Sequence, residues 1–273
     1  MRVCSVCVGG AGLGSAIFCD VVNRFYVPGN RSSNTAIPVG LAAVDPLPPD
    51  QPMVTAVIDK KRPTGEPQYL RSIKTLTDTS QAEAMLRNGV TFAPQDVVVL
   101  SAPATWLARS LDLLGTKALY QERVKRLVVV DAGTSGHDGP ALQKLLAQWP
   151  SPIVYCPRET GEALMLSAAE LDKLFAWAPS HPVADAYRAY KTMPYDAPLH
   201  DVAAIAYAVK PESGFFDVTD GTLSASSTGA LTFTAGTGNM RKLTVPAAKR
   251  AEALDALIAM MGTQPPPPAR GRG

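Results

Sequence analysis

The sequence predicts an α/β fold with a mostly parallel open sheet, helices on both of its faces, and a short β meander towards the C-terminal end. Uninterrupted apolar runs such as Val97–Leu100 and Ile153–Cys156 are typical of parallel strands covered on both sides. The order strand, loop, helix, strand predicts parallel pairing through right-handed crossovers. With 273 residues, of which 46% are hydrophobic, the chain can bury a sizeable core.

The first elements of the chain surround a glycine-rich turn. Val3–Val8 predicts a buried strand and Gly14–Phe25 a helix, with Gly9–Gly14 as the turn between them. A turn of this kind can cradle phosphates, so a dinucleotide-binding oxidoreductase is one hypothesis. Ser15 stands where the third glycine of that fingerprint would fall, and no acidic residue ends a second strand about 20 residues on. The simpler interpretation is a tight strand-to-helix connection.

The next segment combines a short strand, a loop and a helix. Ile37–Leu41 predicts a strand, whereas the proline-rich and charged segment 45–67 predicts a long surface loop. Ser80–Glu83 forms a capping box, which predicts a helix over 81–88 that ends at Gly89.

The rest of the chain predicts strands that alternate with helices and then a meander. The predicted strands here are 97–100, 126–130, 153–156, 215–219, 222–227, 230–235 and 243–245, and the predicted helical stretches are 106–114, 141–148, 160–175, 183–191 and 247–261. We predict one domain over 1–262. The tail 263–273 has four consecutive prolines and an Arg-Gly repeat and is predicted to be disordered, because such a composition cannot pack a core.

The most informative stretch is 193–210. Pro194 and Pro198 keep its first part extended, and apolar residues then recur at helical spacing, so we predict a helix that begins near His200 and Asp201. An imidazole and a carboxylate would thus lie at a helix N-terminus, where unpaired N–H groups and the helix dipole favour negative charge. Asp201 on its own is also explained as a helix cap.

Leu199-His200-Asp201, followed by a small and apolar helix, resembles the His-Asp-Pro-Leu-Ala-Val-Ala helix of the inosine/uridine-preferring nucleoside hydrolases. Ile37–Leu41 resembles the second βα unit of that family. The segment Ser101–Thr105 resembles its Gly-Pro-Leu-Thr-Asn-Leu-Ala segment, with Trp106 where the family has Asn.

The resemblance implies a nucleoside hydrolase-like fold and hydrolysis of the N-glycosidic bond of a ribonucleoside or related N-riboside, with a small nucleoside-like molecule as the partner. It also implies that His200 protonates the leaving base, and that Asp201 and the backbone carbonyl of Thr105 ligate a catalytic calcium ion. Thr105 is equally explained as a helix-capping residue.

The sequence departs from this family in its carboxylates. The family's Asp-x-Asp-Pro-Gly-x-Asp-Asp motif does not occur, and the first acidic residue is Asp20. Calcium takes roughly six to eight oxygen ligands, of which Asp201 and Thr105 supply about two. The family's ribose-gripping Asn and Glu-Phe-Asn set is also missing, since 136–140 leads directly into a helix. Most of the calcium ligands are therefore missing from the sequence.

Two hypotheses follow from these departures. In the first, the chain begins at the family's second strand, and we expect the reading frame before Met1 to encode a strand followed by clustered aspartates. In the second, the chain is a catalytically inactive member of the family that binds a ribose-like ligand or a protein partner.

Charge and cysteine content limit the other classes of function. The net charge of +2 is spread without a dense Lys/Arg block, which argues against nucleic-acid and anionic-membrane partners, and no run predicts a membrane span. The four cysteines are too few for a disulfide scaffold of this size and fit free thiols in a reducing compartment, so we expect a cytoplasmic protein. The apolar run 3–19 leaves secretion as the alternative, and a homo-oligomer is left open.

Overall fold

The computed structural model describes residues 3–26, 37–42, 44, 46–92, 96–132 and 138–264, and its contacts divide the chain into two compact units. The first unit consists mainly of Leu86–Leu166 and Asp196–Met260, and the second mainly of Arg2–Met85 and Ser167–Tyr195. The single domain over 1–262 stays a prediction. Most of the predicted tail, from 265 onward, lies outside the described residues.

The strands in chain order are β1 (Val6–Val8), β2 (Val39–Leu41), β3 (Ser80–Gln81), β4 (Asp96–Leu100), β5 (Val124–Val130), β6 (Ile153–Cys156), β7 (Met165–Leu166), β8 (Ala197–Pro198), β9 (Asp217–Ala225), β10 (Leu231–Ala235) and β11 (Met240–Thr244). The α-helices are α1 (Leu13–Tyr26), α2 (Pro52–Ile58), α3 (Ala82–Phe92), α4 (Thr105–Ser110), α5 (Thr116–Arg123), α6 (Gly139–Gln148), α7 (Arg158–Glu162), α8 (Ala168–Phe175), α9 (Pro182–Tyr190), α10 (His200–Val209) and α11 (Arg250–Met261). Short 3-10 turns lie at Leu76–Asp78, Pro211–Ser213 and Ala247–Lys249.

The first unit is built on a six-stranded sheet in the order β10-β9-β11-β6-β5-β4. Strands β4, β5, β6 and β11 are parallel, and β9 pairs antiparallel with both β10 and β11. Leu127, Val128 and Val129 of β5 are fully buried, because their strand is covered on both faces. The predicted α/β class, with a mostly parallel sheet and a C-terminal meander, is confirmed.

The meander differs from the prediction in its strand boundaries. Asp220 and Gly221, which separate the predicted strands 215–219 and 222–227, lie inside the nine-residue strand β9. A Cβ on Gly221 would overlap the backbone oxygen of Thr234 and lie 2.6 Å from Cζ of Phe233 on β10. The glycine therefore permits a close approach of the neighbouring strand, which is a common reason for glycine inside a strand.

Two predictions for the N-terminal part, the end of one helix and a long loop, are wrong. Helix α3 continues through Gly89 to Phe92, because Val90 is buried and its packing outweighs the cost of a helical glycine, about 1 kcal/mol. Helix α2 lies inside the segment predicted to be a loop. Pro52 occupies its first position, where no N–H is needed, and Val54 and Val57 are buried.

The predicted helical stretch 160–175 is broken. Helix α7 ends at Glu162, β7 then pairs antiparallel with β8, and α8 begins at Ala168 after a capping box between Ser167 and Glu170. Buried Leu164 and Leu166 anchor the extended part, so packing overrides the helical periodicity. None of the described helices has the length and hydropathy needed to cross a membrane.

The second unit contains the parallel sheet β1-β2-β3 and a buried histidine. His181 is 1% exposed, and its ring contacts Phe25, Phe175 and Trp177. Its Nε2 is 2.8 Å from the hydroxyl of Tyr26, and its buried Nδ1 has no hydrogen-bond partner within the described ranges. Burial lowers the pKa of His181 to about 4, although Asp185 acts in the opposite direction.

We expect the free energy of unfolding to fall as the pH is lowered from about 6.5 to about 4. In this window His181 of the unfolded chain binds a proton that the folded chain excludes, so the contribution lost is about 3 kcal/mol. Urea unfolding at a series of pH values measures the slope. The variant His181→Phe should flatten it, and an unchanged slope in that variant would contradict the assignment.

Candidate functional site

The carboxyl edge of the parallel sheet in the first unit brings together most of the predicted site residues. Ser101 follows β4, Asp131 follows β5, and Cys156 ends β6. Parallel strands end at the same edge, which is where open α/β sheets bind ligands. Helix α10 packs across β4, β5 and β6, and it begins at His200, as the sequence predicted.

Asp201 is fixed at this edge by a serine. The hydroxyl of Ser101 donates a hydrogen bond to Oδ1 of Asp201, and this contact joins the end of β4 to the first turn of α10. The other carboxylate oxygen, Oδ2, makes no hydrogen bond to the described residues. Asp201 is exposed, so this oxygen is available to a ligand.

A second carboxylate, Asp131, lies beside the same strand end. The hydroxyl of Tyr155 donates to Oδ2 of Asp131 over 3.0 Å, and burial together with Asp131 raises the pKa of Tyr155, so that the phenol stays protonated. Burial raises the pKa of the Cys156 thiol to about 12, with further contributions from Asp201 and then Asp131. Both carboxylates therefore act on Cys156, which is held as a neutral thiol.

His200 packs against a glycine of α7. A Cβ on Gly161 would overlap Nδ1 of His200 and lie 2.6 Å from its Cα, so only glycine leaves room for the first residue of α10. Nδ1 is buried and has no partner in the described part of the chain. Nε2 is therefore the ring nitrogen that remains available to a ligand.

Thr105 lies at the first residue of α4, and its hydroxyl is 3.4 Å from Oδ2 of Asp138. Asp138 in turn caps α6 by accepting from the backbone N–H of Ala141. The carbonyl of a first helical residue belongs to the helix's own hydrogen-bond ladder. The structure thus pairs Asp201 with Ser101 and Thr105 with Asp138.

The residues present do not fit a calcium site of the ordinary kind. Calcium requires about six to eight oxygen ligands, usually including several carboxylates. Across the described ranges, no three His, Cys, Asp or Glu side chains lie together as a metal-binding group. One oxygen of Asp201 is already occupied by Ser101.

The glycine-rich turn of the second unit also holds a carboxylate. Asp50 accepts a hydrogen bond from the N–H of Gly14 over 3.1 Å, at the start of α1. A Cβ on Gly12 or on Gly14 would lie within 2.5 Å of Asp50 carboxylate atoms. The glycines therefore make room for Asp50, which satisfies the helix N-terminus where a dinucleotide phosphate would otherwise bind.

Comparison with known proteins gives a result at the level of structure only. No family model matches the chain, and no curated protein sequence matches it. An inosine-guanosine nucleoside hydrolase superposes with a TM-score of 0.65 at 15% identity, over 95% of this chain and 91% of that one. A purine-preferring ribonucleoside hydrolase from Gardnerella vaginalis gives a TM-score of 0.66 at 14% identity, over 94% and 89%.

The chain has the nucleoside hydrolase fold. The resemblance predicted from the His200–Asp201 helix is therefore confirmed for the fold. A third solved structure, the type III effector protein XopQ complexed with adenosine diphosphate ribose, superposes with a TM-score of 0.59 at 13% identity, over 96% of this chain and 85% of that one.

Several residues of the site were not identified from the sequence. Ser101 lies in a segment that the sequence singled out, but its partner is 100 residues away along the chain. Tyr155 is hidden in an apolar run, where nothing marks a polar role. Gly161 has no local signal at all, since its requirement comes from the packing of His200.

Proposed function

We propose that this chain hydrolyses the N-glycosidic bond of a ribonucleoside or related N-riboside at the carboxyl edge of β4, β5 and β6. The observation that supports the proposal is the convergence of His200, Asp201 and Asp131 on this edge of a nucleoside hydrolase fold. Bond cleavage requires an oxocarbenium-like transition state, an activated water and a proton for the departing base. An imidazole and two carboxylates meet these requirements.

In the proposed reaction water adds across the bond between C1′ of the ribose and the base nitrogen. The water oxygen bonds to C1′, and a carboxylate accepts one of its protons. The carboxylates of Asp201 and Asp131 stabilise the positive charge that develops on the ribose. His200 acts as the imidazolium: it donates its Nε2 proton to the base nitrogen as the bond breaks and becomes the neutral imidazole. The proton that the carboxylate took from water then restores the imidazolium, so the site returns to its starting state.

The family resemblance assigns Asp201 and the Thr105 carbonyl to calcium, and those roles stay hypotheses. We derive no step through a metal ion, because the described donor set does not fit one. We also propose a reducing, cytoplasmic location, which is supported by four cysteines that are present as thiols.

The second candidate is a protein that binds an N-riboside without cleaving it. The described residues contain no group of three or more side chains that could hold a metal ion, which favours this candidate. The hydrogen bond from Ser101 to Asp201 favours it as well, because it occupies one of the carboxylate oxygens. The complex of XopQ with adenosine diphosphate ribose adds that compound to the ligands worth testing here.

One experiment separates the two candidates. The purified chain is incubated with inosine, adenosine, uridine and adenosine diphosphate ribose, with and without a chelator, and free base and free ribose are quantified by chromatography. We expect release of base that the chelator leaves unchanged, and no micromolar calcium binding in a calorimetric titration. Binding of an N-riboside without release of free base would support the second candidate. If the chelator abolished the release of base, a metal ion would have to take part in the reaction.

A further inference from the structure

The first unit has a second cavity, at the edge of the sheet opposite to His200. It has a volume of about 400 Å³, within the usual range for a small-molecule site, and it lies at the beginnings of β5, β6 and β11. Its polar lining consists of Lys125, Arg126, Arg241 and Glu212, and Tyr207 and Phe216 form its aromatic wall. None of these residues belongs to the candidate active site.

The charges in this cavity favour an anion. Arg241 is compensated by Asp220, with 3.1 Å between Nε and Oδ1. Lys125 and Arg126 make no ion pair within the described residues, so two positive charges face the single carboxylate of Glu212. The lining therefore keeps an excess of positive charge, which favours an anion such as a phosphomonoester.

Arg126 is held in place by an aromatic ring. Its guanidinium carbon lies 5.6 Å from the ring centroid of Tyr207, which in turn packs edge-on against Phe216 at 6.1 Å. A guanidinium stacked in this way keeps its planar edge of N–H donors available for an oxyanion. The geometry therefore orients the donors before a ligand arrives.

Tyr207 adds a polar group to the wall of the cavity. Most of its side chain is buried, whereas its hydroxyl keeps contact with solvent and makes no hydrogen bond to the described residues. A ligand inside the cavity can hydrogen-bond to this hydroxyl in place of water.

We propose that this cavity binds a small organic phosphate of the nucleoside monophosphate class. The phosphate contacts Arg126 and Lys125, and the apolar body of the ligand fills the part of the cavity lined by Pro152, Val154 and Val218. Tyr207 lies on α10, the helix that begins at His200, so the same helix contributes to this cavity and to the candidate active site.

Calorimetric titration with adenosine 5′-monophosphate tests the proposal, with adenosine and inorganic phosphate as separate probes. We expect the monophosphate to bind more tightly than either fragment, with an affinity that falls as salt is added. Arg126→Ala should weaken its binding about tenfold or more, since hydrogen bonds to a charged group are lost. Arg250→Ala, a change of the same type at an exposed position of α11, should leave it unchanged.

Two further variants keep the test decisive. Lys125→Ala removes an exposed side chain and should weaken binding without affecting folding, and Asp201→Asn at the opposite edge should not weaken it. Equal affinity in Arg126→Ala, Lys125→Ala and the unmodified chain would overturn the proposal. Equal affinity for inorganic phosphate and the monophosphate would overturn the assignment of an organic ligand. If Asp201→Asn were the only variant to lose binding, the ligand would bind at the active site and the proposal would be wrong.

Discussion

Replacing His200 by alanine is expected to slow the hydrolysis of purine nucleosides by about a hundredfold or more. A purine is a poor leaving group until it is protonated, and in the proposed mechanism the acid is His200, in the first turn of α10 at the carboxyl edge of the sheet. The proton would leave from Nε2, because Nδ1 is buried against α7. The measurement is the steady-state rate with inosine.

A substrate that leaves without a proton separates acid catalysis from damage to the site. A nitrophenyl riboside should be hydrolysed by His200→Ala at nearly the original rate. Asp201→Asn should slow both substrates, because it removes charge that stabilises the ribose in the transition state. Equal losses on both substrates in His200→Ala would indicate displacement of the Asp201 turn, and no loss on either would make His200 a structural residue.

The parts of the fold that were predicted correctly are those in which one physical signal dominates. β6 is buried at every position, so its apolar run marks both of its ends. Helix α10 begins at His200 because the prolines before it exclude helix and the apolar periodicity begins there. Asp131 and Asp201 lie at one edge because neighbouring parallel strands end at the same side of the sheet.

The parts that could not be predicted depend on contacts between residues far apart in the sequence. Helix α2 lies among prolines, and only the burial of Val54 and Val57 reveals it. The hydrogen bond between Ser101 and Asp201 depends on how α10 crosses β4, which no local pattern encodes. Asp50 likewise lies in a proline-rich segment, and its role at α1 appears only in three dimensions.

Replacing Gly161 by alanine is expected to impair both folding and the active site. The added Cβ would overlap Nδ1 of His200 and lie 2.6 Å from its Cα and Cγ, which is closer than real Cβ contacts. Helix α7 cannot move away freely, because the buried hydroxyl of Thr160 donates to the backbone oxygen of Leu243 on β11 over 2.8 Å. The first turn of α10 must therefore shift, and with it the contact between Asp201 and Ser101.

Overpacking of this kind costs about 1–3 kcal/mol, so the urea midpoint should fall and the rates with inosine and with nitrophenyl riboside should fall together. A double-mutant cycle with His200→Ala identifies the clash as the cause. Removing the ring relieves the contacts of the new Cβ with Nδ1 and Cγ but not with Cα, so the double variant should be more stable than the sum of the two single losses predicts. Additive losses would show that the alanine acts elsewhere, and an unchanged midpoint in Gly161→Ala would refute the packing of His200 on α7.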